Sequence, residues 1–222
     1  LFKVNEEKKF NSQTIICVAR LVPIKNLENL LLAWKSVEEH NNIYKLVLLG
    51  DGASFNKLKN LVKTLGLNRV EFVGAVPNDN IREHLFRADA FILPSWSESW
   101  GLVVNEAMAS GLPILLSNQI NAADTLLMEG INGYSFCPAD ANEIKEKIIQ
   151  FIDLPNYTKK SMSDNSLRII DSMSYEQMGD GLLEALHLLK SQSRKKSGLL
   201  AHLAINLWFG RYNTMGWDSV NI

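Results

Sequence analysis

Six short apolar runs constrain this chain more than anything else in it. "TIICVAR" (Thr14–Arg20), "KLVLLG" (Lys45–Gly50), "VEFVG" from Val70, "AFILP" (Ala90–Pro94), "PILLS" from Pro113 and "GYSF" from Gly133 show little polar alternation. A strand that faces water on one side alternates apolar and polar residues, whereas a strand covered on both faces reads as an unbroken apolar run. Stretches with helical spacing lie between the runs. Leu27, Leu30, Leu31, Trp34 and Val37 fall on one helix face, with Asn26 placed to cap the first turn. Further helices are expected over Phe55 to Leu65, from an Asn78 cap through Phe86, and over Gly101 to Ala109, Ala122 to Met128 and Ala141 to Phe151. Strand and helix in alternation predict an α/β fold, a Rossmann-like parallel sheet of about six strands with helices on both faces.

After Pro155 the alternation stops. Two helices without an intervening strand are expected near Asn156 to Ile170 and Tyr175 to Leu189, either packed on the edge of the domain or reaching across to a neighbour. The chain therefore divides into a linker remnant (1–13), a domain (14–155), carboxyl-terminal helices (156–190) and a tail (191–222). The tail pairs a basic cluster with a short apolar helix holding Leu199, Leu200, Leu203, Leu207 and Trp208. It reads either as a terminal helix covering an apolar patch or as a membrane-surface or partner-binding helix. The first residue is Leu1, so a piece of a longer protein is expected.

Composition excludes several classes. The 23 basic and 24 acidic residues nearly cancel, so no general field draws nucleic acid to this surface. Cys17 and Cys137 each sit in an apolar run and read as buried free thiols, neither a disulfide scaffold nor a metal site. There is no basic start followed by an apolar run, and no uncharged stretch approaches the roughly 20 residues of a membrane span. A cytoplasmic protein is expected, open to peripheral contact with the inner face of the membrane.

In an open parallel sheet, ligands bind outside the carboxyl ends of the strands. Arg20 and Lys25 lie in or just beyond the first strand-to-helix loop, and two cations beside a helix amino end suit a diphosphate. A solvated loop with two surface charges is the alternative. "GDG" (Gly50–Gly52) lets the backbone turn sharply and approach a ligand, but the dinucleotide fingerprint and the phosphate-loop motif are both absent. "SESWGLVVNEAMASG" holds Glu98 and Glu106, which eight steps along one helix would set roughly 80° apart. With Glu98 in the loop after "AFILP" and Glu106 in the helix starting near Gly101, both can face one cleft, beside the unpaired N–H groups of Trp100 to Val103. Carboxylates accept hydrogen bonds from the paired hydroxyls of sugars and riboses, so the arrangement fits a diphosphate flanked by two polyols. The alternative is that Glu106 favours the positive helix end and Glu98 is solvated.

Four blocks in order resemble a known family: "VARLVPIKNLENLLLAW", "LVLLGDG", "VEFVGAVPNDNIREHLFRADAFILPSWSESWGLVVNEAMASGLPILLS" and "LLMEGINGYSFCPAD". They look like the carboxyl-terminal, donor-binding domain of retaining glycosyltransferases of the two-domain GT-B fold (group 1, family 4-like), over about residues 14 to 190. By that resemblance the donor is a UDP- or GDP-sugar, a substrate, with no cofactor and no metal. Arg20 and Lys25 would hold its diphosphate and Glu98 would contact the transferred sugar, making these three the catalytic set. Glu106 would hold the ribose, backbone groups of Gly101, Leu102 and Val103 would meet phosphate or sugar oxygens, and Gly74 to Pro77, with Val76, would border the base. The acceptor, a polysaccharide, lipopolysaccharide or glycolipid, would bind a missing amino-terminal domain, to which the Tyr175 to Leu189 helix would cross. Alone, the chain would bind donor weakly, transfer little and self-associate through that helix. A non-catalytic nucleotide-sugar-binding or scaffold module from a truncated transferase is the other implication. Two departures stand out: Trp100 replaces a smaller aromatic, and "NAAD" (Asn121–Asp124) replaces a glycine-rich stretch ending in Glu.

Overall fold

The computed structural model describes residues 10–173 and 175–191. The expectations for most of the linker remnant and for the tail after residue 191 lie outside the described residues. Six parallel strands form one sheet in the order β3-β2-β1-β4-β5-β6. They are β1 (Thr14–Val18), β2 (Lys45–Leu49), β3 (Val70–Gly74), β4 (Ala90–Leu93), β5 (Ile114–Ser117) and β6 (Gly133–Phe136). Helices α1 (Leu27–His40), α2 (Phe55–Leu65), α3 (Asn78–Phe86), α4 (Leu102–Ala109), α5 (Asn121–Leu126) and α6 (Ala141–Ile152) occupy the crossovers.

Why the strands are mostly apolar is plain from the packing. Ile15, Cys17, Leu46, Leu48, Ile92 and Leu115 face one core, filled by α1, α2 and α6 around the fully buried Trp34 and Phe151. Their chain neighbours Ile16, Val18, Val47, Leu49, Phe91 and Leu116 face a second core with α3, α4 and α5. Every residue of β1, β4 and β5 is thus buried whichever way its side chain points, while the edge strand β3 leaves Glu71 exposed. The chain winds outward from β1 to β3, then returns to place β4 on the other side of β1. The loops after β1 and β4 therefore diverge and leave a crevice at the carboxyl edge.

Helix α7 (Asn156–Asp171) packs on this domain, against α4. Its Ser163 Oγ donates to Gly111 O at 2.7 Å, and its buried Lys159 Nζ donates to Ile152 O at 2.7 Å and Tyr44 Oη at 3.0 Å. Gly111 and Tyr44 precede β5 and β2, so these contacts lie at the amino edge of the sheet. Helix α8 (Tyr175–Ser191) belongs to a second unit that divides from the first at Tyr175 and Glu176, and its Leu182, Leu183 and Leu186 are exposed.

Three local expectations need correction. Asn26 precedes α1 in a left-handed conformation (φ 54°) and makes no cap bond; its Nδ2 donates to Pro94 O and Pro138 O instead, at 3.1 and 2.7 Å. Pro77 takes the cap position of α3, and Asn78 starts the helix without capping it. Cys17 is buried, and burial pushes its thiol up to about 12, but Cys137 follows β6 and is only half-buried. The "GDG" glycines also bring two loops together. A Cβ on Gly50 would lie 2.0 Å from Ala19 O and one on Gly52 2.5 Å from Leu21 O, so the β2–α2 loop rests against the β1–α1 loop.

Candidate functional site

The β1–α1 loop ends in a short 3-10 turn, Pro23–Lys25, stopped by the left-handed Asn26. It lies beside the loop that leaves β4. Trp96 N donates to Ile24 O at 2.9 Å, and Asn26 Nδ2 reaches Pro94 O. Lys25 Nζ projects from this seam onto Glu98 Oε1, forming an ion pair whose side chains are only 14% and 15% exposed. Ser95 Oγ donates to the same carboxylate oxygen at 2.8 Å, from a fully buried position. A cation, a carboxylate and a hydroxyl thus meet at the crevice between β1 and β4.

The rest of the loop is tied down from the other side. Glu98 forms a parallel bridge with Ile120, and Asn121 Nδ2 donates to Ser99 O at 2.8 Å. "NAAD" therefore contributes through its first residue, which holds the loop that carries Glu98. Trp100 Nε1 donates to Asn105 Oδ1 at 2.9 Å, laying the indole along α4. Gly101 caps α4 with φ 94°, a conformation that favours glycine, while a Cβ there would meet nothing closer than 3.6 Å. Leu102 and Val103 open α4, where N–H groups lack intrahelical partners, and Leu102 is highly exposed.

Of the residues singled out from sequence, the structure joins Lys25 to Glu98 directly. Arg20 follows β1 by two residues and is exposed, and its side chain makes no hydrogen bond or ion pair among the described residues. Glu106 lies apart from the ion pair. It lines a cavity of about 110 Å³ between α3 and α4, with Asn78, Asp79, Ile81 and Arg82, and desolvation raises its carboxyl above the ordinary glutamate value. That cavity directly follows the Gly74 to Pro77 segment, whose Val76 packs half-buried on the second core. Sequence reasoning missed Ser95, the tethering role of Asn26 and the Asn121 bond. Ser95 carried a readable signal, a hydroxyl directly after the strand's closing proline and three residues before the glutamate. The Asn26 and Asn121 bonds span 68 and 22 residues and carried none.

Among the described residues no three His, Cys, Asp or Glu side chains are grouped to hold a metal ion, and no helix is long and apolar enough to cross a membrane.

A doubly wound parallel sheet with an ion pair at the β1/β4 crevice defines an α/β protein of the class whose ligands bind at the carboxyl edge. Within that class the chain belongs to the family described as glycosyl transferases group 1, whose model matches residues 2–168. It is 25% identical over 177 residues to an uncharacterized glycosyltransferase of Methanocaldococcus jannaschii, covering 78% of this chain and 48% of that protein. It is 31% identical over 121 residues to the GDP-mannose-dependent alpha-(1-6)-phosphatidylinositol monomannoside mannosyltransferase of Mycobacterium tuberculosis, covering 51% of this chain and 31% of that one. Among solved structures, TarM of S. aureus in complex with UDP superposes with a TM-score of 0.73 at 20% identity, over 86% of this chain and 38% of TarM. The fold is thus that of one half of a GT-B protein. The chain spans about half the length, or less, of these relatives.

Proposed function

We propose that this chain is the donor-binding half of a glycosyltransferase that moves a sugar, with retention of configuration, from a nucleoside-diphosphate sugar to a glycan or glycolipid acceptor. The observation that carries this reading is the Lys25–Glu98 pair at the crevice between β1 and β4, beside the opening of α4. Lys25, with Arg20, receives the diphosphate; Glu98 takes hydroxyls of the transferred sugar. Glu106 takes the ribose, the N–H groups of Leu102 and Val103 face phosphate or sugar oxygens, and the base lies by Val76. As the bond between sugar and phosphate breaks, negative charge grows on the departing diphosphate. Fixed cations and N–H groups stabilise that charge more than they stabilise the intact donor, which is what accelerates transfer.

The acceptor belongs to a preceding domain, and the exposed leucines of α8 are where that domain, or a second copy of this chain, would be covered. Without it the chain binds donor but transfers little, because donor and acceptor are not held together. Calorimetric titration with UDP, GDP and ADP and their sugar donors, repeated with Arg20→Ala and Glu106→Ala, tests the reading. Saturable binding of one nucleotide, weakened by both substitutions, is expected. Binding that neither substitution changes would remove both residues from the site.

A further inference from the structure

The two loops at the crevice are stitched together around one residue each. Ile24 O accepts the Trp96 N–H, and Asn26 Nδ2 donates to Pro94 O, so the chain neighbours of Lys25 grip the chain neighbours of Ser95. Lys25 and Ser95 are thereby held facing each other, and Glu98 fills the space between them. Both bond the same atom, Glu98 Oε1, and among the described residues nothing bonds Oε2. A lone lysine would leave the carboxylate free to swing about its own torsions and to exchange its two oxygens. A second donor fixed in the protein interior removes that freedom. Ser95 is fully buried and carries its hydroxyl on a segment whose backbone is pinned on both sides, so it is such a donor.

We propose that Ser95 is a positioning residue for the transfer reaction. It commits Glu98 Oε1 to Lys25 and leaves Oε2 as the oxygen that meets the hydroxyls of the donor's sugar, an inference that rests on the role given to Glu98 above. The class of ligand concerned is the sugar moiety of a nucleoside-diphosphate sugar, not the nucleotide.

The test uses the 222-residue chain with Ser95→Ala and Ser95→Thr, the latter retaining the hydroxyl. The first measurement needs no ligand. Acylation by an N-hydroxysuccinimide ester is followed at each lysine by mass spectrometry, with exposed Lys57 as the internal reference. Ser95→Ala frees Glu98 and is expected to speed labelling of Lys25 severalfold with Lys57 unchanged, and Ser95→Thr to restore the slow rate. The second is calorimetry with UDP against UDP-glucose and GDP against GDP-mannose. Ser95→Ala is expected to lower the affinity for the sugar nucleotide, relative to the bare nucleoside diphosphate, roughly three- to tenfold, about the worth of one hydrogen bond. Unchanged Lys25 labelling, faster labelling of all lysines, or an equal loss for both ligands would overturn the proposal. If the unsubstituted chain binds none of the four ligands, the donor-site reading fails by itself, and the labelling result still decides whether Ser95 holds Glu98.

Discussion

Replacing Glu98 with glutamine changes one charge in a carboxylate-sized side chain and should move stability and ligand affinity in opposite directions. In the unliganded protein Glu98 is the anion that Lys25 holds, in a position where each side chain is about 15% exposed. That is too sheltered for the near-zero value of a surface pair and too open for the loss seen when a fully buried pair is broken, so Glu98→Gln should cost about 1–3 kcal/mol. For a chain of this length each kcal/mol lowers the thermal midpoint by about 2–4 °C, giving a fall of about 2–12 °C. The same substitution frees Lys25 for an incoming diphosphate and removes a carboxylate that repels it. A gain of about 1 kcal/mol, roughly fivefold in Kd for the nucleoside diphosphate, is expected. Scanning fluorimetry without ligand and calorimetry with UDP and GDP read the two effects. A variant with an unchanged midpoint, or with weaker nucleoside-diphosphate binding, would refute the idea that Glu98 and the diphosphate draw on the same Lys25 charge.

Three further outcomes can be stated. Asn26→Ala removes both Nδ2 bonds and leaves the Pro94 and Pro138 carbonyls without that donor, with a methyl at φ 54°; a loss of about 2–4 kcal/mol is expected by urea denaturation. Gly50→Ala would set a Cβ 2.0 Å from Ala19 O at φ 136°, and loss of the cooperative thermal transition, read by circular dichroism, is expected because backbone on both sides cannot yield. Glu106 has its carboxyl raised by desolvation, so its ionisation disfavours the folded state. That penalty is absent below the ordinary glutamate value of 4.5, sets in as pH rises through it and is complete above the raised value; Glu106→Gln should therefore lift the thermal midpoint at neutral pH, with the difference vanishing at acid pH, while weakening nucleotide binding.

Much of the fold was legible because each signal was local. Apolar runs with few interruptions marked the strands, and α2 begins at Phe55 and ends at Leu65 as its periodicity and the following Gly66 indicate. The misplaced caps show where local reasoning stops. Asn26 has the right residue type and position to cap α1, yet the carbonyls of Pro94 and Pro138 orient its amide through Nδ2 and leave its Oδ1 without a cap bond, and both come from distant chain. The same limit applied to the site. Placing Glu98 after β4 and Lys25 after β1 followed from the sequence pattern, but that the two neutralise each other depends on the strand order, which puts β4 next to β1.

Lys159 and Lys25 are both sheltered, and the difference between their partners separates architecture from function. Lys159, at the amino edge, donates to the Ile152 carbonyl and the Tyr44 hydroxyl and lies over the rings of Tyr44 and Phe151. The carbonyl belongs to the main chain, and the phenol is buried, so an incoming ligand cannot displace either without unfolding the contact between α6 and α7. Lys25, at the carboxyl edge, is held by the carboxylate of a loop side chain that retains solvent contact. An ammonium carries three donors, and the one given to Glu98 Oε1 leaves others for the oxygens of an incoming diphosphate. The amino edge is therefore fixed by bonds with no alternative, while the carboxyl edge stays folded in the absence of ligand through a bond that leaves its lysine with donors to offer one.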